Sequence, residues 1–477
     1  MKKGCEINAR INRLVSKSLQ NNMIKKTEKQ SQISMFFSLR DTLDQKHPLF
    51  ILAEKINWQQ FEEAFTPLYC QDNGRPALAI RLMVGLLILK HLRNISDESV
   101  VEQYSENVYY QYLCGQNEFT ARRACEASEL VHFRNRIGEQ GVELILQESI
   151  RINDQDRFDP DVSIDTTVQE KNITYPTDNK LHRKIITKCK AIAEKEDIAL
   201  RQSYIRTLKK LAIDQRFRNH PKNQKKARKA DRKVKTIAGR LVRELERNLE
   251  PDSQYQSDLE LFKRVLAQKK EDKDKIYSIH EPEVECISKG KESKKYEFGN
   301  KVSLITTQTT GVIVGAMSFR DPYDGHTLPS VIEQAERLLG KASIKTATVD
   351  RGYRGVSKIL VPMGNEVIIQ SPKPFNNKTQ TKYKQNKLKK QFGRRAAIEP
   401  IIGHLKSDHR MRRNYYKGIT GDSINVMLSA AAFNFKRMMR KWSSFFWLFI
   451  YRSIILPIRF VISQITDSQK EIWVFKG

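Results

Sequence analysis

Acidic residues are scarce in this chain of 477 residues: Asp and Glu number 55 against 85 Lys and Arg, a formal charge of +30. The deficit is local. Residues 201–250 hold 17 basic and 5 acidic side chains, and residues 371–417 hold 14 basic and 2 acidic, so each stretch is +12 and together they carry 24 of the 30 charges. Charge so clustered repels itself unless a polyanion neutralises it, which argues against a small acidic substrate and for nucleic acid, with a membrane surface second. Cysteine is also sparse. The six cysteines, at 5, 70, 114, 125, 189 and 286, form no C-x-x-C pair and have no close His, which excludes a zinc knuckle or a disulfide framework and fits a reducing cytosol. The start, "MKKGCEINARINRLVSK", lacks the apolar core of a secretory signal. Long apolar runs are missing too. The tail is unbroken only over residues 445–451 before Arg452, Pro457 and Arg459 interrupt it, and each arginine near a bilayer centre costs roughly 2.5–3.5 kcal/mol. A helix or strand packed on the body is expected there.

The hydrophobic content of 39% suffices for two or three cores. Residues 1–47 are expected as a disordered leader, polar and unpatterned. Residues 48–155 read as helical: "GRPALAIRLMVGLLILKHLRN" repeats Leu78, Leu82, Leu86 and Leu89 at helical spacing, Ser96 or Asp97 caps the next helix, and "ASELVHFRNRIGEQG" is a third with Arg134 and Arg136 exposed. Short helices joined by turns fit either a helix-turn-helix reader of DNA or a bundle, and the pattern alone favours the bundle.

From residue 156 the pattern changes. Val162, Ile164, Thr166, Thr167 and Val168 form a β-branched run with Asp165 inside it. Residues 180–275 return to charged helical sequence, and Lys225, Lys226, Arg228 and Lys229 lie in its most basic part. Strands follow at "KYEFGNKVSLITT" and "GVIVGAMSF", then a helix at "TLPSVIEQAERLLG" capped by Thr327, a strand "TATVD", a helix around "VSKILVPM", a strand "EVIIQ" and a closing helix. This order is that of an α/β, ribonuclease-H-like domain over 156–440 with one helical insertion, preceded by an all-α domain and followed by an apolar tail at 441–477. It puts Asp165 in the first strand, Asp350 at the end of "TATVD" and Glu399 on the last helix. Phosphodiester chemistry needs two Mg²⁺ ions about 3.5–4 Å apart on oxygen ligands, and two Asp with one Glu suit that task. Glu399, among Arg394, Arg395 and Lys406, also reads as a surface ion-pair partner.

These motifs resemble the DDE transposases of bacterial insertion sequences, in the large group of insertion sequences four and five. The family's Tyr-x2-Arg-x3-Glu-x6-Lys signature is matched by Phe392, Arg395, Glu399 and Lys406, with Phe for Tyr. Asp350, Gly352 and Tyr353 match its Asp-x-Gly-Tyr, and "SIDTTVQEKNITYPTD" resembles its first-Asp region. On a helix the four signature positions share one face, although Pro400 means that the helix begins near there or kinks. The resemblance implies two Mg²⁺ ions (or Mn²⁺) on Asp165, Asp350 and Glu399, phosphate contacts from Arg395 and Lys406, and Tyr353 and Phe392 against DNA. It further implies transposon-end and target double-stranded DNA as partners, a homodimer at paired ends, and a cytoplasmic, nucleoid-associated protein with no membrane partner. A non-catalytic DNA-binding descendant and a nuclease of the same fold are the alternatives. Asp159 and Asp161 read as turn residues, Asp178 as a cap, His280, Glu281 and Glu283 as no standard metal set, and Asp324 with His326 as a turn and cap.

Overall fold

The computed structural model describes residues 22–24, 38–70, 75–269, 271–288, 295–320, 323–353, 356–362, 364–372 and 381–450. Residues 48–152 form α1 (Pro48–Lys55), α2 (Trp58–Phe65), α3 (Ile80–Arg93), α4 (Asp97–Glu106), α5 (Val108–Leu113) and α6 (Ala127–Ile152). Strand β1 (Asp161–Lys171) follows, then α7 (Asp178–Lys195), α8 (Ile205–Asp214), α9 (Pro221–Asn248) and α10 (Gln256–Ala267). After these come β2 (Glu285–Ser288), β3 (Tyr296–Thr307), β4 (Ile313–Phe319), α11 (Asp324–Leu339), β5 (Thr346–Thr348), β6 (Lys358–Leu360) and β7 (Glu366–Gln370). The last elements are α12 (Lys382–Arg395), α13 (Ile398–Asp408), β8 (Arg413–Asn414) and α14 (Gly418–Ile450). Within the segment expected as a leader, Asn22–Ile24 pairs in parallel with Arg75–Ala77, and Leu39–Thr42 is helical. Residues 1–21 and 25–37 of that leader and residues 451–477 of the apolar tail lie outside the described residues.

Contacts divide the chain into two compact units: residues 1–167, 302–412 and 420–477, and residues 168–301 with 413–419. In the first, β1 pairs in parallel with β5, with Val162 opposite Ala347 and Ser163 opposite Thr348. Strand β5 pairs in parallel with β7, and β6 runs antiparallel to β7. The expected helix around residue 358 is thus a strand. Ile359 is buried between exposed Lys358 and Leu360, an alternation with period two, and Pro362 denies a helix room to propagate. Side chains at 162–164 are buried on both faces, as in a strand covered on either side by helices.

The helices at 48–152 belong to the first unit. Ser96 is the N-cap of α4, accepting from the Ser99 N–H at 3.1 Å. Asp97 is thereby free for another role: it takes a bidentate pair from Arg134 at 2.7 and 2.9 Å and a third contact from Lys90 at 2.8 Å. Arg134, expected to be exposed, is 4% exposed. Three hydrogen-bonded contacts from two cations compensate the desolvation of one buried carboxylate.

The second unit has its own core, in which Ile185, Cys189 and Ile192 of α7 pack with Val234, Ile237 and Leu241 of α9 and Phe262 of α10. Helix α9 buries Ala227, Ala230, Val234, Ile237 and Leu241 at three- and four-residue steps, while Lys225, Lys226, Arg228 and Lys229 are exposed on the opposite side. Thr177, not Asp178, caps α7, accepting from the Lys180 N–H. Glu281 is committed to Lys171 at 3.3 Å and to the Gly418 N–H at 3.2 Å, both structural. Gly299 allows β3 to close on β1, since a Cβ there would stand 1.9 Å from the Gln169 carbonyl oxygen.

Candidate functional site

Strand register brings the first two carboxylates together. Ser163 and Thr348 are partners on adjacent parallel strands, so Asp165 and Asp350, each two residues further on, stand level at the point where β5 ends. In a parallel sheet this is where the chain turns into loops and leaves a crevice. Asp165 has a side chain 15% exposed, and its Oδ1 accepts the Thr166 N–H at 2.9 Å. Asp350 bends back over its own turn, its Oδ1 accepting the Gly352 N–H at 2.7 Å.

Glu399 comes from the other side of the same unit. The chain breaks at Ala396 and Ala397, between α12 and α13, rather than running through as one helix. Pro400 explains the break. It has no N–H to give Ala396, and its ring is tolerated only within the first turn of a helix. Arg395 is therefore the last residue of α12, and Glu399 lies in the first turn of α13, where the helix dipole favours an acid. Ile398, Ile401 and Leu405 anchor α13 by its buried face.

Arg395 joins these parts. Its Nη2 lies 3.8 Å from Asp165 Oδ2 and 3.8 Å from Glu399 Oε1, with the arginine side chain 14% exposed and that of Glu399 67% exposed. The ion-pair reading of Glu399 is thus present in the structure, and the same guanidinium also holds a distant, half-buried Asp. Burial pushes the Asp165 carboxyl up to about 6. Arg395 and the Thr166 N–H oppose the rise, and the charges of Asp350 and Glu399 add to it.

Tyr353 is 1% exposed, so it packs rather than offering a ring to a base. Its hydroxyl lies beside Thr166 without forming a well-directed hydrogen bond, and burial, followed by the charges of Asp165, Asp324 and Asp350, raises its pKa far above the ordinary value. Phe392 is half-buried on α12, and Lys406 is half-buried two turns beyond Glu399 on α13. Lys225, Lys226, Arg228 and Lys229 belong to the other unit. Among the described residues, no group of three or more His, Cys, Asp or Glu side chains stands close enough together to hold a metal ion. Arg395 sits between Asp165 and Glu399, and Asp350 is turned to its own loop. The donor chemistry nevertheless suits a hard cation: the oxygens are carboxylates, and a buried, proton-hungry Asp165 calls for a counter-cation.

Sequence reasoning passed over Thr166 and Asp324. The Thr166 hydroxyl donates to Asp324 Oδ1 at 3.0 Å, which ties the start of α11 to the residue after Asp165. The only signal available was the acid in "DPYDGHTLP", which is indistinguishable from a cap by sequence alone.

Residues 37–136 match a family described as "Transposase domain (DUF772)", and residues 364–439 match one described as "Transposase DDE domain". An uncharacterized protein, ORF8 in the nfe locus of Rhizobium meliloti, is 42% identical over 190 residues, covering 38% of this chain and 91% of that protein. No solved structure matches.

Proposed function

We propose that this chain, two parts of which match transposase families, is a DDE-type transposase that cuts DNA at transposon ends and joins the freed end to target DNA on a ribonuclease-H-like scaffold. The observation that carries the reading is the meeting of two sequence-distant acids, Asp165 and Glu399, at one arginine, with Asp350 level with Asp165 at the end of the neighbouring strand. Asp165 and Glu399 share Arg395 at 3.8 Å each, and the charge of Asp350 is felt at Asp165. Asp165, Asp350 and Glu399 would hold two Mg²⁺ ions, or Mn²⁺. When bound, such ions activate the attacking water or 3′-hydroxyl and stabilise the leaving 3′ oxygen.

The protein's own groups do the rest. Arg395 neutralises Asp165 and Glu399 while the carboxylates lack an ion, and turns to a DNA phosphate once they have one. Lys406 faces the backbone further along α13. The exposed basic side of α9 neutralises flanking phosphates, and the helices at 48–155 read the ends. Terminal repeats and target are double-stranded DNA, and two copies act together on paired ends. No helix among the described residues is long and apolar enough to cross a membrane.

The test separates cutting from binding. Glu399→Gln, Asp165→Asn and Asp350→Asn should each lower Mg²⁺-dependent strand cleavage by several orders of magnitude, while affinity for end DNA in EDTA stays equal or rises. An exposed ion pair is worth only about 0–1 kcal/mol, so its loss would leave the rate within roughly fivefold. A Glu399→Gln protein cutting at near the wild-type rate would reject the assignment.

A further inference from the structure

Glu399 and Lys406 share α13, and the far end of that helix is held from outside. A helix leaves its last four carbonyls without a partner of its own. In α13 the Ser407 carbonyl accepts the Asn94 side-chain amide at 2.8 Å. His409, which closes the helix, is held twice: its carbonyl faces His91 Nδ1 at 3.4 Å, and its own Nδ1 faces the His91 carbonyl at 3.0 Å. Since each ring nitrogen meets a carbonyl oxygen, each is a protonated donor. One residue further on, the Arg410 carbonyl accepts Asn425 Nδ2 of α14 at 3.2 Å. All these residues belong to the first unit.

Asn94 is chosen for more than its turn. It closes α3 in the left-handed conformation, φ 58° and ψ 38°, which Gly and Asn adopt most readily. Glycine would serve that turn as well, but it has no amide to give Ser407. The supporting end of α3 is itself fixed, because Lys90, next to His91, pairs with Asp97 at 2.8 Å, and Asp97 is gripped by Arg134 of α6. The other end of α13 follows the break at Ala396 and Ala397, so no continuous helix steadies it. Ile398, Ile401 and Leu405 decide which face of α13 is buried, but apolar contacts are non-directional and resist sliding poorly; directed hydrogen bonds fix the axial position. Lys406 immediately precedes Ser407, and Glu399 lies about 12 Å back along the helix at 1.5 Å per residue.

We infer that His91 and Asn94 are positioning residues for cleavage: from α3 they set the axial placement of α13, and with it the places of Glu399 and Lys406. The helical part of the first unit thereby shapes the reaction centre as well as contacting DNA. This inference rests on the metal-dependent reading above.

The test compares single-turnover end-DNA cleavage at saturating Mg²⁺ with end-DNA affinity in EDTA, on the full chain and under conditions where urea melts show each variant folded. Asn94→Gly keeps the left-handed turn and removes the amide. A shift of about 1 Å in a reacting group can cost about 100-fold, so cleavage should slow by about tenfold or more while affinity stays within about fivefold. His409→Ala should slow cleavage similarly. His409→Asn should recover most of that loss, because its amide nitrogen stands as many bonds from Cβ as Nδ1 does and also donates. Asn94→Gly decides the matter if His409→Ala fails to fold. As a control, Asn365→Ala takes a side-chain amide from the Ile344 carbonyl in the same unit, and should keep cleavage within about threefold of wild type. Near wild-type cleavage in Asn94→Gly would overturn the inference. So would a loss in Asn365→Ala as large as that in Asn94→Gly, which would make the bond merely structural, or an affinity that falls in step with the rate. An inactive Glu399→Gln beside a fully active Asn94→Gly removes this inference alone; a Glu399→Gln that cuts at the wild-type rate removes the metal-dependent reading and this inference with it.

Discussion

Replacing Arg395 with Gln should tighten metal binding while weakening DNA binding. In the structure the guanidinium stands 3.8 Å from both Asp165 and Glu399. At an effective dielectric constant of about 20, two unit charges near 4 Å apart interact by about 4 kcal/mol before desolvation and screening. The Glu399 side chain is 67% exposed, so its share is screened to less than about 1 kcal/mol. Asp165, 15% exposed, carries most of what remains. After the desolvation that Asp165 already bears, the net competition between Arg395 and an incoming cation is about 1–2 kcal/mol, or roughly five- to thirtyfold in an equilibrium constant.

The sign holds only where Asp165 is ionised. Its pKa of about 6 is held down by Arg395 and should rise in the variant, so the comparison belongs at pH 8. Mn²⁺ titration of wild type and Arg395→Gln should show the variant binding roughly tenfold more tightly. End-DNA binding in EDTA should weaken, with a salt slope lower by about 0.9 for the lost phosphate contact. Metal affinity that is unchanged or reduced would refute the reasoning, because the guanidinium would then be helping to hold the carboxylates ready rather than competing with the ion.

Replacing Lys225, Lys226, Arg228 and Lys229 on α9 with Gln should leave the fold intact, since all four are exposed. It should flatten the salt dependence of end-DNA binding by up to about 3.6, at about 0.9 per contact; an unchanged slope would show that this face is merely solvated. A separate prediction concerns His91 and His409, which bond to each other's backbone carbonyl at 3.4 and 3.0 Å and are buried. Burial lowers both, His409 to about 4, so the unfolded chain takes up protons below pH 6.5 that the folded chain refuses, and this stability is lost as pH falls. His409→Asn should therefore be closer to wild type in urea melts at pH 5 than at pH 7.5, by about 2 kcal/mol; an equal gap at both values would place the titration elsewhere.

The candidate acids stand out in the sequence because their signals are local. Asp165 sits in a β-branched run, Asp350 ends a short strand before a glycine, and Pro400 announced a helix start or kink beside Glu399. What escaped was long-range. Arg134 looked like solvent-facing helix charge because its partner, Asp97, lies 37 residues away. The strand at Lys358–Leu360 spans three residues, too few for an alternation to be recognised, and only pairing with β7 makes it extended. Asp324 carries no mark that separates it from an ordinary turn acid, and the residue it binds, Thr166, lies 158 positions away.

The lone glutamate in a basic helix makes sense in these terms as one end of a charge gradient. Carboxylates lie toward the sheet, a single arginine stands between Asp165 and Glu399, and the sequence around α12 and α13 is strongly positive. A purely basic surface would bind DNA without favouring any phosphate, and a purely acidic pocket would repel it. Placing Arg395 between the two lets one side chain serve either partner. With no ion bound it offsets the mutual repulsion of Asp165 and Glu399, and with cations on the carboxylates it is free for a phosphate. Under that arrangement cation and DNA should each favour the other's binding, because each relieves the electrostatic cost that the other would meet alone.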